Sequence, residues 1–566
     1  MAVPLETGGR GRPVEWSPNL ITIQAATEQK TKGNVYTPAQ VARFILRWAF
    51  NGHQNYDVLE PSCGGGAFLK AVKDEGVSYH SISALEIDST EAEKARGIAL
   101  HDAAISVGDF HQYCLSTKDR FDLVVGNPPF IRYQYFDDRQ QALAASIFTR
   151  AGLKYSKLAN PWASFVVGST LLLRDAGKLG MVVPAEILQV GYARQVREYL
   201  AEFFDRIAIV SFERLIFPSV QQEVVLLLCQ RTGTKDHRID HIEVQDASRL
   251  SALDVTRLRS PTKNVDFHTG KWTFYFLPQP EINFLEGWMR RGQTMSFRKF
   301  ARAEVGMTTG FNHFFSVDRA TVKKYGLSRY ARPLVGRSVQ VGSVEFTKAD
   351  WEKNTENGAR AYFLSFPSRD KLTKNLSAVA YLEEAEARGI HRGYKCSVRD
   401  EWQIVPSAWV SQALFLRRNH LFPRFVINEA GAYTTDTMHR VTVEPGVDVR
   451  ALVASYYNSL SFASTEVCGR SHGGGVLELM PNEVESVLVP YRAENGPLLP
   501  MIDNMMRDGA DIDDILDVTD PSILHDGLGL SAVEIQMARG IWRRLQSRRF
   551  NRKHTRHQPG SIRQSL

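Results

Sequence analysis

Between about residue 56 and residue 230, short apolar runs alternate with amphipathic stretches. Val58-Leu-Glu60, Ile82-Ser-Ala-Leu-Glu-Ile-Asp88 and Phe121-Asp-Leu-Val-Val-Gly126 each end in an acid or a glycine. Runs of this length bounded by turn residues read as buried strands. Thr37 to Trp48 carries a helical apolar spacing, with Thr37 as expected N-cap and Pro38 in the first turn. After Glu60 the chain passes through Cys63-Gly-Gly-Gly66 into a helix expected to run to about Lys73. Asp205–Phe212 and Glu223–Cys229 read as two strands with a short link, expected as a closing antiparallel hairpin. The alternation implies a mainly parallel α/β sheet, and ligands of such sheets bind at the carboxyl ends of the strands.

Chemistry falls at those ends. Asn127-Pro128-Pro129-Phe130 closes one strand. Proline fixes φ and has no N–H, so the carbonyls here are expected to stay outside the ladder. The Asn127 amide oxygen and the Pro128 carbonyl can accept the two hydrogens of an exocyclic amine, and Phe130 can stack on its ring. Upstream, Gly64 to Gly66 permit close backbone approach to a ligand. The full Gly-x-Gly-x-x-Gly and Walker spacings are missing, which disfavours a dinucleotide or P-loop site. Glu86 follows Glu60 by one βα unit, where an acid can take a ribose diol. Asp109, in Gly108-Asp-Phe110, can accept from an adenine amine. Each acid alone would read as a turn or cap residue; the ordered series calls for more.

Tyr36-Thr-Pro-Ala-Gln-Val41, Leu59-Glu-Pro-Ser-Cys-Gly64, Leu85-Glu-Ile-Asp88, Gly108-Asp-Phe110 and Asn127-Pro-Pro-Phe130 occur in the order seen in gamma-class amino-methyltransferases of DNA. The chain resembles these N6-adenine enzymes of restriction–modification systems over roughly residues 30 to 230. Asn160-Pro-Trp-Ala-Ser-Phe165, Gly180-Met-Val-Val-Pro184 and Ile216-Phe-Pro218 continue the likeness. The resemblance implies a class I Rossmann-like methyltransferase domain using S-adenosylmethionine. Thr37, Glu60, Ser62, Gly64, Glu86, Ile87, Asp109, Phe110 and Asn127 would hold that cofactor. Asn127, Pro128, Pro129 and Phe130 would form the catalytic tetrapeptide. Phe130 and Phe217 would stack on the two faces of a base flipped out of double-stranded DNA. Phe130 stands where many members have Tyr; stacking survives and a hydroxyl contact is lost.

Residues from about 299 to 540 resemble that family's target-recognition region, an α+β domain with short β-like runs at Phe315–Val317, Gln340–Phe346, Arg424–Asn428 and His439–Val443. Expected boundaries are a flexible N-terminus at 1–30, a methyltransferase domain at 31–245, a connecting region at 246–298, a target-recognition domain at 299–540 and a basic tail at 541–566. Gly306–Asn312 and Gly469–Gly475 are expected as flexible reading loops. Arg392, Lys395, Arg399, Arg417, Arg418 and Arg470 are the candidate DNA contacts, since Arg and Lys hold phosphates and Arg reads purine edges. From Arg543 the chain carries eight Lys or Arg and no acid, which suits either a phosphate clamp or a solvated helix end followed by disorder.

Composition bounds the alternatives. Net charge is +7, mildly favouring a polyanionic partner. No apolar run approaches the 18 or so residues of a membrane span, the start lacks signal-peptide features, and five scattered cysteines suggest neither a disulfide framework nor a metal site, so the cytoplasm is expected. Cytosine C5 methylation would need a Pro-Cys pair, and none occurs. Cytosine N4 methylation uses the same amine chemistry and stays open, as does a DNA-binding module with an inactive methyltransferase fold. Protein-glutamine and RNA methyltransferases share the tetrapeptide but would not need the large C-terminal half. Glu91-Ala-Glu-Lys94 loosely matches a nuclease carboxylate–lysine cluster and is expected on a solvent-exposed helix face. With about 30 residues ahead of the methyltransferase region, no N-terminal nuclease is expected, and a cognate restriction endonuclease would be a separate protein.

Overall fold

The computed structural model describes residues 37–551 apart from 54, 131–135, 218–221, 235–236, 262, 264, 266–270, 292–294, 373–374 and 473. The expected flexible N-terminus, Pro218 and the tail beyond 551 lie outside the described residues. Two compact units emerge, one holding the chain to Val183 with Leu226–Thr234, the other Pro184–Val225 with Lys235 onward.

The first unit is doubly wound α/β. Its elements run α1 (Ala39–Phe50), β1 (Tyr56–Glu60), α2 (Ala67–Glu75), β2 (Tyr79–Glu86), α3 (Ser89–Arg96), β3 (Ala103–Val107), α4 (Phe110–Ser116), β4 (Phe121–Gly126), α5 (Asp138–Arg150), α6 (Trp162–Leu171) and β5 (Leu173–Pro184). With a later strand, here called β7 (Val224–Gln230), the order is β3-β2-β1-β4-β5-β7. Neighbours from β3 to β5 pair in parallel, with Glu60 opposite Ala84, Glu86 opposite Val107 and Gly126 opposite Met181. The order reverses between β1 and β4, and such a switch point opens a crevice above the carboxyl ends.

Burial explains the elements. α1 buries Val41, Phe44, Ile45 and Trp48. A Cβ at Gly180 of β5 would come within 2.6 Å of Ile45, so this glycine lets the helix seat on the strand. Lys178, also on β5, donates to the Ala49 carbonyl at 2.7 Å and closes the helix end; burial lowers its pKa to about 8. The helix starts after Pro38, which takes the N-cap position without a side-chain cap, so Thr37 does not cap it.

The second unit contains β6 (Arg206–Phe212) and β8 (Arg238–Val244), which pair in parallel along their length. β8 falls near the end of the span expected as the methyltransferase domain, and its polar residues kept it from reading as a strand. Further on, Ala301–Val305 joins Met438–Val443, Ala413–Leu416 and Phe425–Ile427 in an antiparallel sheet. A smaller sheet combines Ser316–Val317, Tyr362–Leu364, Ala331–Val335 and Tyr433–Thr434. Gln340–Phe346 is not a strand: it holds a turn of 3-10 helix at Ser338–Gln340 and a single bridge from Glu345 to Ile427. Its valines still reach the core, which is why the pattern looked strand-like.

Candidate active site

Four strand ends bring the site together. Glu60 ends β1, Glu86 ends β2, Gly108-Asp109 follows β3 and Asn127 follows β4. A Cβ at Gly126 would stand 3.3 Å from Pro61, so the β4 end lies against the turn after β1. In that turn Gly66 has φ +86°, and a Cβ there would meet Ile98 Cδ1 at 2.4 Å. Only glycine fits both the backbone and the space. The turn carries its own lock: Gly64 N–H donates to Glu86 Oε2 at 2.8 Å, and Asp88 N–H donates to Glu86 Oε1 at 2.9 Å.

These ends surround a cavity of about 160 Å³. Thr37, Glu60, Ser62, Gly64 and Glu86 line it, as do Ile87, Asp109, Phe110, Asn127 and Pro129. The sequence had marked each of them. Ser62 also donates its hydroxyl to the Asn127 carbonyl at 3.3 Å, tying the cofactor-side turn to the tetrapeptide. Pro128 is buried and Phe130 half-buried just beyond the lining. Phe217 belongs to the second unit and is buried there.

Electrostatics separate the three acids. Burial, and then the charge of Glu86, holds the Glu60 carboxyl well above the ordinary range. Among the described residues its Oε2 is buried with no hydrogen-bond partner. An orphaned buried carboxyl oxygen is costly unless a ligand completes it. At Asp109, burial raises the pKa, but bonds from the His111 ring and the His111 and Gln112 backbone outweigh it, giving about 2. The cap reading of Asp109 is therefore true, and its Oδ2, which accepts from Gln140 Nε2 at 3.5 Å, belongs to a residue that still lines the cavity. Burial pushes the Cys63 thiol up, the opposite of what a nucleophile needs.

Several lining residues had not been singled out. His111 joins Asp109 to Ser164, whose hydroxyl lies 2.7 Å from Nε2. Phe165 stacks on Phe110 with centroids 4.8 Å apart, and Phe136, Gln140 and Pro161 complete that side. Asn160–Phe165 was visible as a motif, but nothing in it announced a wall. Glu91 corrects the surface expectation: it is 8% exposed, lines the cavity and pairs with Lys94 at 2.7 Å.

Of the six candidate DNA contacts, Arg417 and Arg418 both pair with Glu478, at 3.0 and 3.2 Å, and Arg470 pairs with Glu483 at 2.8 Å. Arg399 is spent on backbone carbonyls. Arg392 and Lys395 are exposed.

S-adenosylmethionine presents an ammonium, a ribose diol and an adenine amine, and the lining fits it. Glu60 has an unfilled buried acceptor, Glu86 and Asp109 keep acceptor capacity, and Ile87 offers a 61% exposed apolar face. Residues 18–268 match the family model for N-6 DNA methylases, and residues 269–524 match that for the C-terminal domain of the type II methyltransferase M.Eco57I. The chain is 23% identical over 479 residues to the type II methyltransferase M.AccI of Acinetobacter calcoaceticus, across 81% of this chain and 85% of that one. It is 23% identical over 482 residues to M.XamI of Xanthomonas campestris pv. amaranthicola, with the same two coverages. With both halves matched in order, the chain belongs to the N6-adenine DNA methylases of type II restriction–modification systems.

Proposed function

We propose that the protein transfers a methyl group from S-adenosylmethionine to N6 of an adenine flipped out of double-stranded DNA at one short specific site. The observation that carries this is a single cavity lined by the acid series Glu60, Glu86 and Asp109 and by Asn127 and Pro129. When bound, the cofactor supplies an electrophilic sulfonium methyl and a neutral leaving group. Glu60 takes its ammonium, Glu86 its ribose and Asp109 its adenine amine. The Asn127 amide oxygen and Pro128 carbonyl accept from the target amine, which favours a pyramidal nitrogen with its lone pair aimed at the methyl. No strong base is required, since the proton can leave after transfer. Phe130 stacks on the flipped base, and Phe217 is a second stacking candidate, a stacked ring offsetting part of the lost stacking by about 1–3 kcal/mol.

The test incubates purified protein with labelled cofactor and mixed DNA, RNA and protein, then identifies the modified base. Label in DNA as N6-methyladenine is expected. Label as N4-methylcytosine would overturn the choice of base, and tight cofactor binding without transfer would point to an inactive fold. We also propose that a separate cognate endonuclease cuts the unmodified site and that the protein works in the cytoplasm. Among the described residues no helix is long and apolar enough to cross a membrane. DNA that gains resistance to one restriction activity after treatment is the expected sign of such a partner.

A further inference from the structure

Gly306–Asn312 and Tyr394–Trp402 lie far apart in the chain and adjacent in the second unit. Arg399 joins them: its Nη2 donates to the Thr308 and Thr309 carbonyls, both at 2.9 Å, and Nη1 donates to the Trp402 carbonyl at 3.2 Å. Gly310 has φ +86°, and a Cβ there would stand 3.0 Å from both Lys395 Cβ and Cys396 Sγ. The glycine loop is thus fitted against the short helix Tyr394–Ser397. Trp402 is support rather than surface, packing on Phe314 and donating to Glu386 at 2.8 Å.

The joined segments leave apolar groups in solvent: Tyr394 is 75% exposed, Val398 63% and Phe311 40%. Arg392 and Lys395 stand beside them, exposed, with Lys395 Nζ 5.7 Å from the Tyr394 ring centroid, and among the described residues neither forms an ion pair. Most other arginines of this unit face an acid. Asn312 Oδ1 accepts from the Thr309 hydroxyl at 2.5 Å, which leaves its two amide hydrogens for an outside acceptor.

We infer that Phe311, Asn312, Arg392, Tyr394 and Lys395 form the surface that reads the DNA recognition sequence. The inference rests on the proposed function and adds the reader to it. Free cations beside exposed rings suit a duplex better than an apolar protein face, because the cations need counter-charge and DNA supplies it at every step. Asn312 offers its two amide hydrogens, and its oxygen, already accepting from Thr309, keeps one lone pair. Those hydrogens suit an acceptor on a base edge in the major groove, such as guanine O6 or N7, thymine O4 or adenine N7. Tyr394 and Phe311 pack on a thymine methyl or an opened base step, and Arg392 and Lys395 hold phosphates.

The full-length protein is tested, after its site is mapped by base-resolution sequencing of treated DNA. Asn312→Ala, Tyr394→Ala and Lys395→Gln are compared with Val533→Ala, a 72% exposed apolar control on the C-terminal helix. Readouts are kcat and KM for cognate and singly altered duplexes at fixed salt, cofactor affinity, melting temperature and sedimentation. Asn312→Ala is expected to lose about 5- to 100-fold in kcat/KM on the cognate site and to relax choice at one base pair. Lys395→Gln should weaken all DNA alike and reduce the salt slope by about one. Cofactor affinity and melting should match the control. Unchanged discrimination and DNA affinity in all three variants, with the wild type methylating its site, would refute this surface while leaving the function intact. The same result with altered sedimentation would assign the surface to a second copy instead. A wild type that methylates no DNA would overturn both.

Discussion

Glu60 is the residue where structure adds most to sequence. Its motif announced a cofactor acid, but not that the carboxyl is buried beside Glu86 and held above the ordinary range. In the free protein this acid costs stability: the cost is absent below the unfolded pKa, and grows as pH rises toward the elevated folded value. A cationic ligand reverses the preference, so binding should expel a proton. Calorimetry of S-adenosylmethionine binding near neutral pH in buffers of different ionisation enthalpy should show proton release in the wild type, and Glu60→Gln should abolish it; equal release in both would remove Glu60 from the ammonium. Asp109 behaves oppositely. Its contribution is present above about 3.8 and lost as pH falls through about 2, so cofactor binding near neutrality should not depend on its titration. Asn127→Ala should lower turnover about 10²- to 10³-fold with cofactor affinity largely kept, while Glu86→Ala should weaken the cofactor. Calorimetry showing the reverse split would exchange their roles. These acids and Asn127 were legible because each sits at a strand end marked by a turn residue. His111, Gln140 and Phe165 were not, because only tertiary folding brings α4, α5 and α6 to the same wall.

At the scale of elements, apolar runs located β1, β2, β4, β6 and β7 within a few residues, since buried strands read as continuous hydrophobic stretches. Legibility failed where the pattern was ambiguous. β8, Arg-Ile-Asp-His-Ile-Glu-Val, carries a buried ion pair of Arg238 with Asp240 at 2.8 Å that masks its strand character. Gly469–Gly475 read as a loose loop, yet Arg470–His472 and Val476–Glu478 pair antiparallel across it, and Gly474 and Gly475 at φ +83° and +81° make the reversal. Glycine there supplies a turn, as it does after β1. Gly66→Ala should show what such a turn costs. The added methyl meets Ile98 and Ala95 in a left-handed backbone, so a loss of about 1–3 kcal/mol is expected in denaturant unfolding. Because the same turn presents Gly64 N–H to Glu86, cofactor affinity should fall more than stability alone explains; a stable variant with wild-type affinity would show that the turn does not position the acid.

Across the whole molecule, the C-terminal arginines change meaning. As sequence, Arg543 to Arg549 opened a basic tail that could clamp phosphates. As structure, they end the helix Ala532–Phe550, where each pairs with an acid and Arg548 and Arg549 turn inward. Arg543 pairs with Asp513, Arg544 with Glu281 at 3.0 Å, and Arg548 with Glu243 at 2.6 Å. Arg549 is 1% exposed and bidentate to Glu466, with further bonds to the carbonyls of His420 and Gly475. Partners so distant in sequence leave no local pattern, so charge alone could not show them. A phosphate clamp and a buried strut predict different losses. Removing a clamp residue lowers the salt slope of DNA binding and spares stability. Removing Arg549 strands the Glu466 carboxylate in the core, and Arg549→Ala should cost about 3–5 kcal/mol in urea unfolding. Replacing both partners with apolar residues, Arg549→Met with Glu466→Leu, should recover most of that loss, because no charge is then left unpaired. If instead Arg549→Ala melts like the wild type while its DNA binding loses salt dependence, the arginine faces DNA and the strut assignment fails.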